Sequence, residues 1–340
     1  MRSRHVAGRL ALLPLLAAMT LVVATAACTP GEGPLVPPFE PTRPDPQPTN
    51  EAPQSYYLPR NGQWKLPDDT PTGRTPSEQG SIEIEGLGDF TFVPQEIETL
   101  RPDIFQPGHF SVFDVVAHLA DKGWFTLKYH YNPSLDTHVI DELDDCMNWW
   151  YRAHYAGGWP EINVFRMDMY PYKDGMTIRL CTQSEEYMGH IYSSFGEEIQ
   201  RKSINLGRVV IPEVRVGTTV FTNVPVSAHN ERADILQPGT ITALDVLLSL
   251  ADQGHLERLK LTWYWSIDDV DPADSYWVEQ IATGDGVYDA EAAPERGGWV
   301  YESGSRQFSG FRGSHIDIPA DVRVIVSPEY MTWYWLGSPM

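Results

Sequence analysis

The expected fold is α+β: two tandem β-grasp-like domains, each a mixed sheet with one crossing helix, following a disordered proline-rich linker. Three observations carry this. Residues 103–123 are rewritten at 234–254 with a constant offset of 131, and 11 of 21 positions are identical, where composition alone supplies about one or two. Each copy of the repeat reads as a capped amphipathic helix. Alternating segments stand in the same order around both helices, so each helix has a sheet to cover. The chain divides accordingly into 1–27, 28–79, 80–202 and 203–340.

The first 27 residues read as an export signal, with Arg2, Arg4 and Arg9 before the apolar run Leu10 to Val23 and the small residues Ala24-Thr25-Ala26-Ala27. Cys28 follows at once. This placement resembles a bacterial lipoprotein signal, which implies acylation of Cys28 and anchoring to the outer face of the cytoplasmic membrane. Ordinary cleavage and a retained helix are the alternatives, although the run with Pro14 is short for a span. From Thr29 to Gly80 proline is dense, which favours extended polyproline geometry and a semi-rigid spacer. Its aromatic residues Tyr56, Tyr57 and Trp64 either dock back on a domain or stay exposed, and docking is favoured.

In the first domain Ile82-Glu-Ile84 and Phe90-Thr-Phe92 alternate as a hairpin, and Val214-Arg-Val216 with Val220 to Val224 opens the second domain alike. Ser111-x-x-Asp114 and Thr242-x-x-Asp245 are capping boxes, and Gly123 and Gly254 stop the helices. Val112, Val115, Val116 and Leu119 share one helical face, matched by Leu244, Leu247, Leu248 and Leu250. The aspartates are therefore read as caps rather than catalysts. Strands follow at Leu127 to Tyr131 and Leu259 to Trp265, then His138 to Asp141 against Trp277 to Gln280, then Trp149-Trp-Tyr151 against Trp299-Val-Tyr301. Met176 to Leu180 is matched with Val322 to Val326 as the closing strand, and Glu-Tyr-Met recurs at 186–188 and 329–331.

These residues resemble the transcobalamin-like C-terminal domain family. The resemblance is carried by Ser111-Val-Phe-Asp114, His138-Val-Ile-Asp141, Trp149-Trp-Tyr151 and Asp174-Gly-Met-Thr-Ile178, and in the second copy by Thr242 to Leu247, Tyr276 to Ile281 and Trp299-Val-Tyr301. It implies the fold of each domain and a surface location. In the vitamin B12 carriers of that family the domain closes on the corrinoid against a large helical domain, which this chain lacks. The Asn-Gly that commonly follows Trp-x-Tyr is also missing, since Arg152-Ala-His154 and Glu302-Ser-Gly304 stand there. Corrinoid capture is thus only an alternative.

The formal charge is −21, and the export signal subtracts only arginines, so the remainder is more acidic still. Such a surface repels nucleic acid and anionic lipid and leaves cations, neutral polymers or neutral small molecules as partners. Beyond Cys28 the cysteines are Cys146 and Cys181, both in the first domain, and export makes a disulfide between them the expectation, with two buried thiols the alternative. For ligand contact the candidates are Trp149, Tyr151, Trp299, Tyr301, Trp263 and Trp265, read either as core or as a stacking platform for a neutral ligand such as a glycan. The loop with Asp269, Asp271 and Asp274 is a weak calcium candidate, lacking the glycine and glutamate of an EF-hand. No cofactor motif, nucleophile elbow or phosphate loop is present, so no cofactor and no catalytic residue is predicted. A non-catalytic binding protein is the first reading. A hydrolase of an envelope polymer using Asp141, Glu142, Asp144 and Asp145 is one alternative, and a structural spacer another.

Overall fold

The computed structural model describes residues 54–58, 71–154, 165–266, 272–284, 286–289, 297–306 and 318–337. Its content is mixed α+β. Cys28, Trp64, Asp269 and Asp271 lie outside the described residues, as does the export signal.

In the N-terminal half the hairpin β2 (Gly80–Ile84) and β3 (Gly88–Phe92) precedes α1 (Val112–Asp121), followed by the hairpin β4 (Leu127–Asn132) and β5 (Thr137–Leu143), then β6 (Trp149–His154) and β7 (Thr177–Thr182). The main sheet has the order β3-β2-β7-β6, with β2 and β7 parallel at its centre. Helix α2 (Glu185–Ile204) leads to β8 (Val209–Val216), β9 (Thr219–Val226), α3 (Ala243–Asp252), β10 (Arg258–Tyr264), β11 (Ser275–Thr283), β12 (Gly286–Asp289), β13 (Gly297–Gly304) and β14 (Tyr330–Gly337). The second main sheet has the order β13-β14-β8-β9, with β14 and β8 parallel.

Both capping boxes are built, and they explain why the helices start where they do. The Asp114 carboxylate takes the Ser111 N–H at 2.7 Å and also the Leu100 N–H at 2.8 Å, while Asp245 takes the Thr242 N–H at 2.7 Å and the His229 N–H at 2.8 Å. Each aspartate thus ties the helix start to the chain entering it. Gly123 and Gly254 follow at φ 81° and 76°, a left-handed conformation that ends a helix at little cost for glycine. The apolar faces are buried as their spacing requires, from Val112 to Leu119 and from Leu244 to Leu250.

Three expectations are corrected. The stretch read as linker contributes β1 (Gln54–Leu58), which adds antiparallel to β10 with Tyr56 opposite Leu261 and Leu58 opposite Leu259. Tyr56 is buried edge-on to Tyr276 at 5.9 Å, so the favoured docking of the aromatic residues holds for Tyr56. Second, Val322 to Val326 is not the closing strand. Val324 only bridges Thr242, as Pro171 bridges Ser111, and the strand that occupies the central parallel position of β7 is β14. An extended segment laid against a helix start carries the same apolar alternation as a strand, which is why spacing does not separate them. The two Glu-Tyr-Met runs are consequently unrelated in structure: 186–188 lie in α2, and Tyr330-Met331 opens β14. Third, the expected Cys146 to Cys181 disulfide is not formed. Cys181 is a free, buried thiol, contacted by the Gln183 amide at 3.2 Å and pushed up in pKa by burial.

The halves meet through reciprocal contacts. Phe105 and Leu236 form an antiparallel bridge, the Gln106 N–H donates to the Ile235 carbonyl at 2.8 Å and the Gln237 N–H to the Ile104 carbonyl at 2.8 Å. The side-chain amides repeat the exchange, Gln106 Nε2 to the Leu236 carbonyl at 3.2 Å and Gln237 Nε2 to the Phe105 carbonyl at 3.0 Å. Two repeated Ile-x-Gln segments therefore face each other across a local twofold. A small apolar cluster of Ile104, Phe105, Met169, Leu236, Val324 and Val326 seals the junction.

Candidate functional site

The aromatic candidates are mostly core. Trp149, Tyr151, Trp299, Tyr301 and Trp263 are buried, and Trp265 is half-buried against Trp263 at 5.5 Å. The two Trp-x-Tyr elements have a shared structural task. The Tyr151 hydroxyl donates to the Phe165 carbonyl at 2.7 Å and the Tyr301 hydroxyl to the Ile318 carbonyl at 2.6 Å, each pinning the chain that returns toward its helix start. The Trp149 indole N–H donates to the Cys146 carbonyl at 3.0 Å. A ligand reaching these rings would have to displace core contacts, so the stacking platform is corrected to a packing role for the five buried residues. Of the weak calcium candidates, Asp274 already accepts the Arg74 N–H at 3.0 Å. Among the described residues no group of three or more His, Cys, Asp and Glu is placed to hold a metal ion.

The carboxylates of the hydrolase alternative sit on the exposed β4–β5 hairpin and its following turn. Asp141 meets His130 at 2.9 Å, Glu142 holds Lys128, and Asp144 accepts the Thr126 N–H at 2.7 Å. Asp141, Glu142 and Asp144 thus brace the hairpin's surface.

What the structure brings together instead is a pair of buried arginines with their aspartates. Arg101 reaches Asp168 at 3.0 Å, Asp103 at 2.9 Å and Asp136 at 3.0 Å, and lies over the Tyr131 ring. Arg232 reaches Asp321 at 2.6 Å and Asp234 at 3.0 Å, and lies over the Trp263 ring. Burial opposes a charged guanidinium in both, but the facing carboxylates outweigh it and each stays ionised. Asp168 is fully buried and is nonetheless held below the usual carboxylate range by His138, Arg101 and Thr137. Tyr131 is pushed up to about 12, first by burial and then by its hydrogen bond to Asp136 at 2.7 Å.

The surroundings of the two arginines differ. Beside Arg232, Gly73 and Arg74 cross from the N-terminal segment: the Gly73 N–H donates to Asp234 at 2.7 Å, the Arg74 N–H to Asp274, and the Arg74 guanidinium lies 3.4 Å from Asp274. Lys173 closes this side, its ammonium on the Ala273 carbonyl at 3.2 Å and its pKa drawn down to about 7 by burial against the pull of Asp274 and Asp321. Beside Arg101 there is instead an open cleft of about 470 Å³, lined by apolar side chains such as Ile104, Met169, Ile241 and Val324 and by the charged Asp103, Asp136, Lys202 and Arg208. Here the Asp103 side chain is 62% exposed and Asp136 24%. Sequence reasoning missed these residues, yet a signal was available: Arg101-x-Asp103 recurs as Arg232-x-Asp234 at the same offset as the repeat, just upstream of where the identity is densest.

No protein-family model, curated protein or solved structure matches the chain.

Proposed function

We propose that this chain is an exported, non-catalytic binding protein, anchored through Cys28 to the outer face of the bacterial cytoplasmic membrane. In this reading it presents two tandem β-grasp-like modules of the transcobalamin-like C-terminal type, and the cleft beside Arg101 takes the ligand. The sheet order β3-β2-β7-β6 with a central parallel pair, matched by β9-β8-β14-β13, supports the β-grasp reading. The observation that carries the binding reading is the inequality of the two sides. The Arg232 side is filled by the chain's own segment, while the Arg101 side keeps an open cleft lined by apolar side chains and by charges of both signs. An apolar pocket with a few convergent polar groups is the common form of a binding site.

The cleft itself carries both signs, from Asp103 and Asp136 and from Lys202 and Arg208, and the acidic charge of the chain as a whole favours neutral or cationic ligands. The test is an NMR titration of the chain with neutral glycans, a corrinoid and short basic peptides. Shifts at Ile104, Ile241 and Val324 are expected with at least one of them, without turnover. Hydrolysis of a glycan, or shifts confined to other surfaces, would overturn the reading.

A further inference from the structure

The N-terminal segment serves the C-terminal half in two places, and among the described residues both have open counterparts in the N-terminal half. The correspondence is fixed by contacts. β10 is irregular between Lys260 and Leu261 in its pairing with β11, and β4 is irregular between Lys128 and Tyr129 in its pairing with β5. Arg232 covers Trp263 as Arg101 covers Tyr131. The Tyr276 N–H donates to Asp321 as the His138 N–H donates to Asp168, and both Asp274 and Asp136 have positive φ. Hence Leu127, Tyr129 and Tyr131 of β4 stand where Leu259, Leu261 and Trp263 stand in β10.

β10 is covered on its outer edge by β1, and all its residues after Arg258 are buried. Among the described residues β4 has β5 as its only strand partner; Tyr129 is 39% and Tyr131 45% exposed. A sheet edge offering unpaired backbone groups beside exposed rings is a template for strand addition. The second place is the carboxylate pair. Asp234 and Asp274 accept the Gly73 and Arg74 N–H groups, and Arg74 brings a positive charge to Asp274. Among the described residues no such segment reaches their counterparts Asp103 and Asp136, which with Asp168 outnumber Arg101 in the ion-pair group at the Tyr131 end of β4.

We infer that an extended polypeptide segment of a partner protein adds antiparallel to the outer edge of β4 in the register β1 uses on β10. It carries an aromatic residue opposite Tyr129, an aliphatic residue opposite Leu127, and a cationic N-terminal end that meets Asp103 and Asp136. The direction follows from β1, whose Gln54 end lies opposite Trp263, beside Arg232. Tyr56 and Leu58 define the alternating pattern, and the Asp103 and Asp136 carboxylates define the charge of that end. This inference rests on the proposed binding role of the cleft and names the ligand class.

The probe is a C-terminally amidated peptide with the sequence of residues 52–60 and a free amine, followed by fluorescence anisotropy. To stop exchange onto β10, the chain is locked by Ser55→Cys with Thr262→Cys, positions paired in register with their hydroxyls 3.0 Å apart. Saturable binding to the locked chain is expected, weakened at least about tenfold by Tyr129→Asp, by Asp103→Asn, or by serine at both apolar peptide positions. A peptide with cysteine at the Ser55 position should form a mixed disulfide with His130→Cys and not with Ser134→Cys. Far-UV circular dichroism confirms that each variant is folded. No saturable binding to the locked chain, or binding indifferent to Tyr129→Asp, overturns the inference. Tyr129-dependent self-association without peptide binding assigns the edge to a second copy and also overturns it. Loss of peptide binding alongside glycan or corrinoid shifts at the cleft sinks strand addition alone; loss of both sinks the cleft reading with it.

Discussion

Asp168→Ala should be among the most damaging single changes in the N-terminal half. The side chain is fully buried and accepts from Arg101 at 3.0 Å, from the Thr137 hydroxyl at 2.7 Å, and from the His138 N–H and ring nitrogen at 2.9 Å each. Removing it leaves a buried guanidinium short of one counter-charge and strips neighbouring donors of their acceptor. Breaking a buried ion pair from one side costs about 3–5 kcal/mol, and orphaned buried donors about 1–3 kcal/mol each without simple additivity. A loss of about 4 kcal/mol is expected. Asp103→Ala removes a carboxylate from the same arginine, but one that is 62% exposed, and should cost no more than about 1 kcal/mol. Urea unfolding at pH 7 followed by tryptophan fluorescence, extrapolated at constant slope, measures both. A cost for Asp168→Ala under about 1 kcal/mol, or one equal to that of Asp103→Ala, would refute the reasoning that burial rather than pairing sets the energy.

The His229 ring lies between Asp245 and Asp252 at 2.9 Å each; burial opposes its charge, but the two carboxylates outweigh it and raise its pKa to about 9. Its folded pKa lies above the ordinary value, so the stabilisation is complete below about pH 6.5 and is lost as pH rises toward 9. About 2 kcal/mol should disappear across that window in the native chain and not in His229→Gln, read from urea midpoints. The free Cys181 should resist a thiol reagent in the native chain and label fully after denaturation without reductant. Protection that persists in the unfolded chain would show a bridge after all.

The helices, their caps and the Trp-x-Tyr strands were legible because each is specified by residues a few positions apart. Ser111 with Asp114 and Thr242 with Asp245 are local bargains, and tertiary packing only confirms them. What escaped was decided by distant partners. β1 is five residues long and flanked by Pro53 and Pro59, so its composition reads as spacer; a proline-bounded strand is tolerated at a sheet edge, where β1 lies. The closing strand of the C-terminal half was misassigned because Val322 to Val326 shares the strand's alternation while serving as a brace for the helix start. A search for rings and metal ligands passes over the candidate cleft, since only Arg101-x-Asp103 of its charge network is local and repeated, while Asp136 and Asp168 join it from distant positions.

The aromatic asymmetry between the halves was also present in the sequence, but its meaning depends on docking. Leu261 and Trp263 are buried in a strand that β1 pairs with, Tyr56 lying opposite Leu261 and Arg232 and Tyr276 against the Trp263 ring, and an indole and an isobutyl group gain most from such burial. At the matching positions the chain places Tyr129 and Tyr131, with His138 where Tyr276 would stand. Tyrosine and histidine bring an apolar body with a polar tip, a composition suited to a surface that is alternately wet and covered. A strand meant to stay solvated would sooner carry charge at both positions, as edges that avoid pairing do. β4 keeps its charged and polar residues, Lys128 and His130, on the opposite face, where Glu142 and Asp141 hold them. The side chains of this edge therefore separate into one braced polar face and one aromatic face, where Tyr129 packs on Phe113 and Tyr131 bonds Asp136 while both rings stay partly exposed, the division that a strand joining from outside would require.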